Sequence, residues 1–163
     1  MAWAAAAVAA VAAVLMGIMW AQARADDSAR ARVQRAATSA ARALTNFSYR
    51  RIDRDVKELQ TIATGDFSNQ IRELFSKAVK RQIREAKSHS IGRVRSVFVQ
   101  SIEATDASAF AVVDETIDYG NLGEPQRHVL RLEIDLVETR AGWKVDQVTL
   151  FETPQQGLTG GLG

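Results

Sequence analysis

The stretch VLRLEIDLVETRAGWKVDQVTLF, residues 129–151, decides the fold class. Leu130, Leu132, Ile134 and Leu136 alternate with Arg131, Glu133 and Asp135, a period of two that gives a strand one apolar and one charged face. Arg140–Gly142 supplies a glycine-bearing turn, and a further strand begins at Trp143. Trp143 and Val145 share one parity while Val148 and Leu150 take the other, which predicts a β-bulge near Asp146-Gln147. Upstream the same period holds. Ala109, Ala111, Val113 and Ile117 make one face of a strand, and after Gly92, Val97 and Val99 alternate with Phe98 and Ile102. The connections at Thr105-Asp106 and Gly120–Pro125 are short or carry glycine, so four strands are predicted to run as an antiparallel meander.

Before residue 92 the spacing is helical. Val33, Ala37, Ala40, Leu44 and Phe47 recur at alternating steps of four and three, one apolar stripe. Ile52, Val56, Leu59 and Ala63 keep that spacing out of phase, so a break is predicted around Asn46–Arg51, with Asp53 capping a short second helix. Gly65, after Thr64, is placed as the positive-φ residue that ends it. Asp66 or Ser68 then caps a third helix whose core side is Phe67, Ile71, Leu74, Phe75, Ala78 and Ile83. Its opposite face carries Arg72, Lys77, Lys80, Arg81, Arg84 and Lys87. Helices followed by four antiparallel strands make an α+β domain. One face of the curved sheet needs cover, and the helices hold the apolar stripes to cover it. A cone is expected, with helices across the concave side.

Composition narrows the chemistry. A chain of 163 residues with 47% apolar and 25% charged residues is one ordinary folded domain rather than a disordered segment. The absence of cysteine removes disulfides, thiolate-bound zinc, iron–sulfur clusters and thiol nucleophiles. His89 and His128 stand outside any metal-ligand spacing, so no metal site is expected. The net charge of +2 hides an asymmetry: residues 26–100 carry an excess of eight positive charges and residues 101–163 an excess of seven negative ones. The basic third helix could meet anionic headgroups or an acidic partner, or simply face solvent. It lacks a recognition motif or stacking platform for nucleic acid. Gly157–Gly163 neither follows a strand nor opens a helix, so no phosphate loop or nucleotide cofactor is implied.

Residues 2–23 contain no charge. As a helix they would be about 33 Å long, the thickness of a bilayer core. Trp3 and Trp20 would stand about 26 Å apart along that axis, where interfacial aromatic belts fall. Ala6, Ala10, Ala13 and Gly17 form a small-residue face that allows close helix packing in a membrane, although ten alanines among residues 2–21 would also produce it by composition. A cleaved signal peptide is the rival, since Ala23-Arg24-Ala25 has the form of a processing site. Against it, the apolar run is longer than a signal core and no basic segment precedes it. Arg24, Arg30, Arg32 and Arg35 follow the span, and by the positive-inside rule alone would hold that side in the cytoplasm.

An N-terminal span, Tyr49 and Asp53 before a helix, the turn Thr64-Gly65-Asp66-Phe67, a meander, and a closing Gly142-Trp143-Lys144-Val145 strand together resemble the Mce-associated membrane proteins of actinobacteria. The likeness runs over nearly the whole chain, through short motifs. It implies a nuclear-transport-factor-2-like cone, a fold also used by a bitopic scaffold subunit of type IV secretion systems, here outside the cytoplasmic membrane. The implied organisation is a transmembrane helix over 1–23, a helical stalk over 24–44, the cone over 45–153 and a flexible glycine-rich tail over 154–163. The implied role is an accessory subunit of an Mce lipid importer, whose partners are Mce proteins, permease helices and membrane lipids. A lipid-binding cone and a secretion-type scaffold are the alternatives. Some cones of this fold are enzymes. Here Tyr49, Asp53, Asp114, Asp118, Tyr119 and His128 are more economically read as caps, packing residues and strand-edge side chains than as an acid–base pair, so catalysis and a cofactor are not expected.

Overall fold

The computed structural model describes residues 2–120 and 123–151, apart from the side chains of residues 2–19, 21–23 and 25. A single helix, α1, runs from Ala2 to Thr45, about 66 Å at the standard rise. After it come a two-residue strand β1 (Phe47–Ser48) and helices α2 (Ile52–Thr61), α3 (Gly65–Leu74) and α4 (Lys77–Glu85). Four long strands follow: β2 (Ser88–Ile102), β3 (Asp106–Tyr119), β4 (Gln126–Thr139) and β5 (Gly142–Phe151). They form one antiparallel sheet in the order β1-β2-β3-β4-β5. The meander is as expected, but the sheet has five strands rather than four. The fifth is β1, whose Phe47 and Ser48 pair with Ser90 and His89. Two residues are too few for an alternation to show in sequence.

The sheet's inner face is built by parity. Ala107, Ala109, Ala111 and Val113 of β3, Leu132, Ile134 and Leu136 of β4, and Val145 of β5 are buried with Val33, Ala37, Ala40 and Ala41 of α1. Small side chains on both sides let the helix lie close to the strands. The region expected as a stalk is therefore core from Val33 onward. Ile52, Val56 and Leu59 of α2 and Phe67 and Ile71 of α3 close the rest of the core. In the β4–β5 ladder Asp135 faces Gln147 and Leu136 faces Val145, so Asp146 is the extra residue of the expected bulge. It resets the parity so that Val145 and Val148 both point inward.

The helix ends differ from expectation. The α2 N-cap is Arg51, with no side-chain cap, and Asp53 caps nothing. Thr64 itself, in extended conformation, caps α3: Phe67 N–H donates to its Oγ1 at 3.4 Å. Asp66 and Ser68 are thus displaced from that role, and Gly65 is the first helical residue, without a positive φ. The single third helix is two. Ser76 caps α4, accepting from Val79 N–H, so Leu74 and Ala78 are exposed instead of core. Their apolar spacing simply ran on across the break.

Among the described residues no helix is long and apolar enough to cross a membrane. The side chains of Trp3, Ala6, Ala10, Ala13 and Gly17, on which the anchor and packing expectations rest, lie outside the described residues, as does the 154–163 tail. Trp20 is described: it is exposed, with the Arg24 guanidinium 4.5 Å from its ring centre.

Candidate interaction surface

The motif residues gather into two structural devices. The first covers the outer edge of β5. Val145 N–H donates to the Ile62 carbonyl at 2.8 Å, and Thr64 N–H donates to the Val145 carbonyl at 2.7 Å. The segment between α2 and α3 thus pairs in parallel with β5 through Ala63. The Thr64 hydroxyl donates to Asp146 at 3.0 Å while its oxygen caps α3, so one side chain joins helix, turn and bulge. Phe67 and Val145 bury beneath this clamp. Trp143 packs against the same core, its indole N–H buried without an acceptor among the described residues. Thr64-Gly65-Asp66-Phe67 and Gly142-Trp143-Lys144-Val145 are one structural unit, which shields an edge that would otherwise offer unpaired backbone.

The second device is a carboxylate clip. Asp53, on the exposed side of α2, pairs with Lys80 at 2.8 Å and with Arg84, binding α4 to α2. The Lys80 hydrogen bond, helped by the positive charges of Arg84 and Lys80, holds the Asp53 carboxyl below its ordinary range. Asp55 reaches back to accept the Ser48 N–H at 2.9 Å, fixing the corner between β1 and α2. Tyr49 lies in that corner. Its N–H donates to the Ser88 carbonyl, and its hydroxyl accepts from Arg50 Nε at 2.9 Å. The Arg50 guanidinium also stands 5.4 Å from the ring centre. Along α2 the Glu58 carboxylate hydrogen-bonds Arg54 and raises its pKa.

The side chains weighed for acid–base chemistry do not converge. Asp114 is engaged by Arg95 at 2.6 Å, on the outer face of the sheet. Asp118 accepts from Gly120 N–H at 2.9 Å and stands 3.8 Å from His89. Among the described residues, the buried carboxylate is Glu115. Its Oε1 lies 2.6 Å from the Ser90 hydroxyl, which is also 2.8 Å from the Thr45 carbonyl. Its parity with Ala109, Ala111 and Val113 was the available signal. His128 is its register partner on β4. No group of three or more His, Asp or Glu side chains is placed to hold a metal among the described residues.

The outer face of the sheet carries aromatic and charged side chains side by side, with Phe110 in register with Glu133 and Phe151 with Arg131. Phe98 sits opposite Phe110 on the outer face, and Phe110 lies 6.1 Å from Phe151, ring centre to ring centre. Glu103, Asp106, Asp135 and Asp146 line a cleft of about 280 Å³ at the hairpin end of the sheet. The cations of α4 lie elsewhere, on a helix with no buried residue.

No protein-family model matches the chain, and no curated protein matches its sequence. Solved structures share its fold. An IcmL-like type IV secretion system protein from Legionella pneumophila is 15% identical, with 78% of this chain covering 96% of that one at a TM-score of 0.61. The periplasmic domain of DotI is 11% identical, with 74% of this chain covering 94% of that one, also at 0.61. A putative aromatic ring hydroxylase from Novosphingobium aromaticivorans is 19% identical, with coverages of 78% and 91% and a TM-score of 0.58. Identities this low carry the fold alone, and these three proteins differ in function. The chain has the nuclear-transport-factor-2-like α+β fold that the resemblance implied.

Proposed function

We propose that this chain is a non-enzymatic accessory subunit of a multiprotein complex in the cell envelope. Residues 1–23 would hold it in the cytoplasmic membrane, with the cone on the extracytoplasmic side. The observation that carries this reading is the unbroken helix α1. It leads from the uncharged run straight into the core at Val33, so whatever holds residues 1–23 also holds the cone. The likeness of the cone to a type IV secretion protein and to a periplasmic domain supports a secretion-type scaffold as the kind of complex. Two modest contacts, one through the span and one through the cone, gain effective concentration from each other.

An Mce-type lipid importer is the second reading. The joint clamp made by Thr64-Gly65-Asp66-Phe67 and Gly142-Trp143-Lys144-Val145 favours it, since the two short motifs that carry the resemblance meet in space. A lipid-binding cone has less support. Among the described residues, a void enclosed by α1, β1, α2 and Phe75 holds about 10 Å³, room for a single water and not for an acyl chain. The non-enzymatic part rests on the dispersal of Tyr49, Asp53, Asp114 and Asp118 into separate structural pairs.

The test is affinity purification of the full-length protein from its native membrane in mild detergent. Co-purification of several integral membrane subunits in fixed ratio is expected. Secretion components or Mce proteins with a permease would decide between the two readings. A protein recovered alone and free of the membrane would overturn both.

A further inference from the structure

The helix α1 fixes which end of the cone lies next to the N-terminal run. Arg30 donates to the Val99 carbonyl at 3.4 Å, Gln34 to that of Val97 at 3.4 Å, and Asn46 to that of Gly92 at 3.1 Å. Moving toward the N-terminus of α1 is therefore moving toward Ile102, and the helix leaves the domain beside the β2–β3 hairpin. The β4–β5 hairpin shares that end, because Asp106 pairs with Val137. This end holds the cleft of Glu103, Asp106, Asp135 and Asp146. Its cations are Arg30, which reaches the Val99 carbonyl, the neighbouring Arg32 and Arg35 of α1, Arg140 in the β4–β5 turn, and Lys144, which is engaged by the Thr61 carbonyl.

The opposite end is basic. Phe75, where α3 gives way to α4, lies with Leu44, Phe47 and Ile52 around the C-terminus of α1. Lys87, just past α4, lies against Gly120 at the far end of β3. Lys77, Arg81 and Arg84 recur at helical spacing on α4, and Arg50 and Arg51 stand at the adjoining corner. Asp53 is shared between Lys80 and Arg84 and cannot neutralise both. Arg81 has a loose 3.8 Å contact with Glu85, with both side chains mostly exposed. Lys77 and Lys87 have no acidic partner among the described residues. No residue of α4 is fully buried; its Ile83 packs against the core, and Lys77, Arg81 and Arg84 lie on its exposed side.

Distance decides what they meet. The 15 residues of β2 separate the two ends, roughly 50 Å along the strand. The Debye length in physiological salt is about 8 Å, so a bilayer surface at the exit end is screened from α4. We infer that α4 and the α1–α2 corner are the docking end of the cone, and that the occupant is an acidic polypeptide segment of a partner. The anionic surface of the chain's own membrane is excluded by the geometry. Arg81 suits this occupant, because a planar guanidinium takes a carboxylate in a pair, while Arg84, Arg51 and Arg50 already meet Asp53, Asp55 and Tyr49 and add charge around it. The inference rests on the anchored-subunit reading and names the surface that reading would use.

The experiment uses the full chain in nanodiscs of zwitterionic lipid and a labelled, glutamate-rich twelve-residue peptide as probe. Binding is expected to weaken at least tenfold on raising salt from low to physiological strength, and at least tenfold in Lys77→Glu with Arg81→Glu. A milder Lys77→Ala with Arg81→Ala pair should fall between. The chain has no native cysteine, so the single substitutions Glu103→Cys and Lys77→Cys can each carry a donor dye. Energy transfer to a headgroup acceptor should be stronger from position 103 than from 77. Equal or reversed transfer would overturn the orientation. Unchanged peptide binding in the charge-reversed pair, or loss of binding to added phosphatidylserine vesicles in place of peptide, would overturn the docking assignment. Failure of the chain to enter the disc would instead sink the anchored reading on which the inference rests.

Discussion

A Cβ placed on Gly92 would lie 1.9 Å from Oγ1 of Thr45 and 2.4 Å from its Cβ, so the last turn of α1 can sit on β2 because this position has no side chain. Thr45 is buried and its hydroxyl donates to the Ala41 carbonyl at 2.7 Å, which leaves it no route of retreat. Asn46 completes the contact by bridging both backbone groups of Gly92 with its amide. Gly92→Ala is expected to lower stability by about 2–3 kcal/mol, at the upper end of ordinary overpacking. Adding Thr45→Gly should restore part of the loss, less about 1 kcal/mol for glycine in a helix. Denaturant melts of both variants check it. A Gly92→Ala protein as stable as the parent would refute the close approach, since alanine is otherwise no worse than glycine in a strand.

The hydroxyl of Ser90 serves the Thr45 carbonyl and the Glu115 carboxyl together, inside the core. Ser90→Ala leaves both oxygens without it, at a cost of about 1–3 kcal/mol. Glu115→Gln keeps an oxygen at the same place and should cost less than Ser90→Ala. Thermal or denaturant midpoints of the two variants give the order. The reverse order would mean that Glu115 has a role the Ser90 contact does not capture.

How much of this was legible follows from what each element uses to form. The four long strands alternate, and the parity switch between Val145 and Val148 was enough to place the bulge at Asp146. Strand β1 has two residues, which cannot show a period. The α3–α4 break was hidden because Phe67, Ile71, Leu74, Phe75 and Ala78 keep helical spacing across it; the capping Ser76 was the signal to weigh. Thr64-Gly65 is a helix start although its sequence suits a helix end, because glycine suggests a C-cap and threonine an N-cap with equal ease. Asp53 was legible as a helix-terminal carboxylate, but its partners on α4 are about thirty residues away and only tertiary packing brings them to it. The charge asymmetry between the two parts of the chain was plain in sequence. Its arrangement along α1 was not, since that depends on which way the helix lies over the sheet.

Gly65 offers a clean test of the corrected helix start. It is the first residue of α3, has no positive φ, and a Cβ there would meet nothing within 4 Å. Gly65→Ala should therefore stabilise the protein by about 0.4–1 kcal/mol by restricting the unfolded chain. Had Gly65 been the left-handed C-cap suggested by the sequence, the same change would destabilise. The sign of the shift in melting midpoint decides.

The Asp53 clip predicts a pH and salt dependence confined to α4. Asp53→Asn removes the charge that Lys80 and Arg84 share while keeping the side chain's shape. Amide exchange across α4 should quicken, roughly three- to tenfold, with little change in the core strands, because local opening is cheaper than global unfolding. The Asp53 carboxyl is held below its ordinary value in the fold, by the Lys80 hydrogen bond first. Its contribution is thus complete above the unfolded value of about 3.9 and fades as pH falls below it through the lower folded one. High salt should mimic part of this, since the clip is exposed. In Asp53→Asn both the acid and the salt response of α4 should vanish. If α4 of the variant still loosens with acid as the parent does, another carboxylate holds the helix, and the clip is not what keeps the basic face in place.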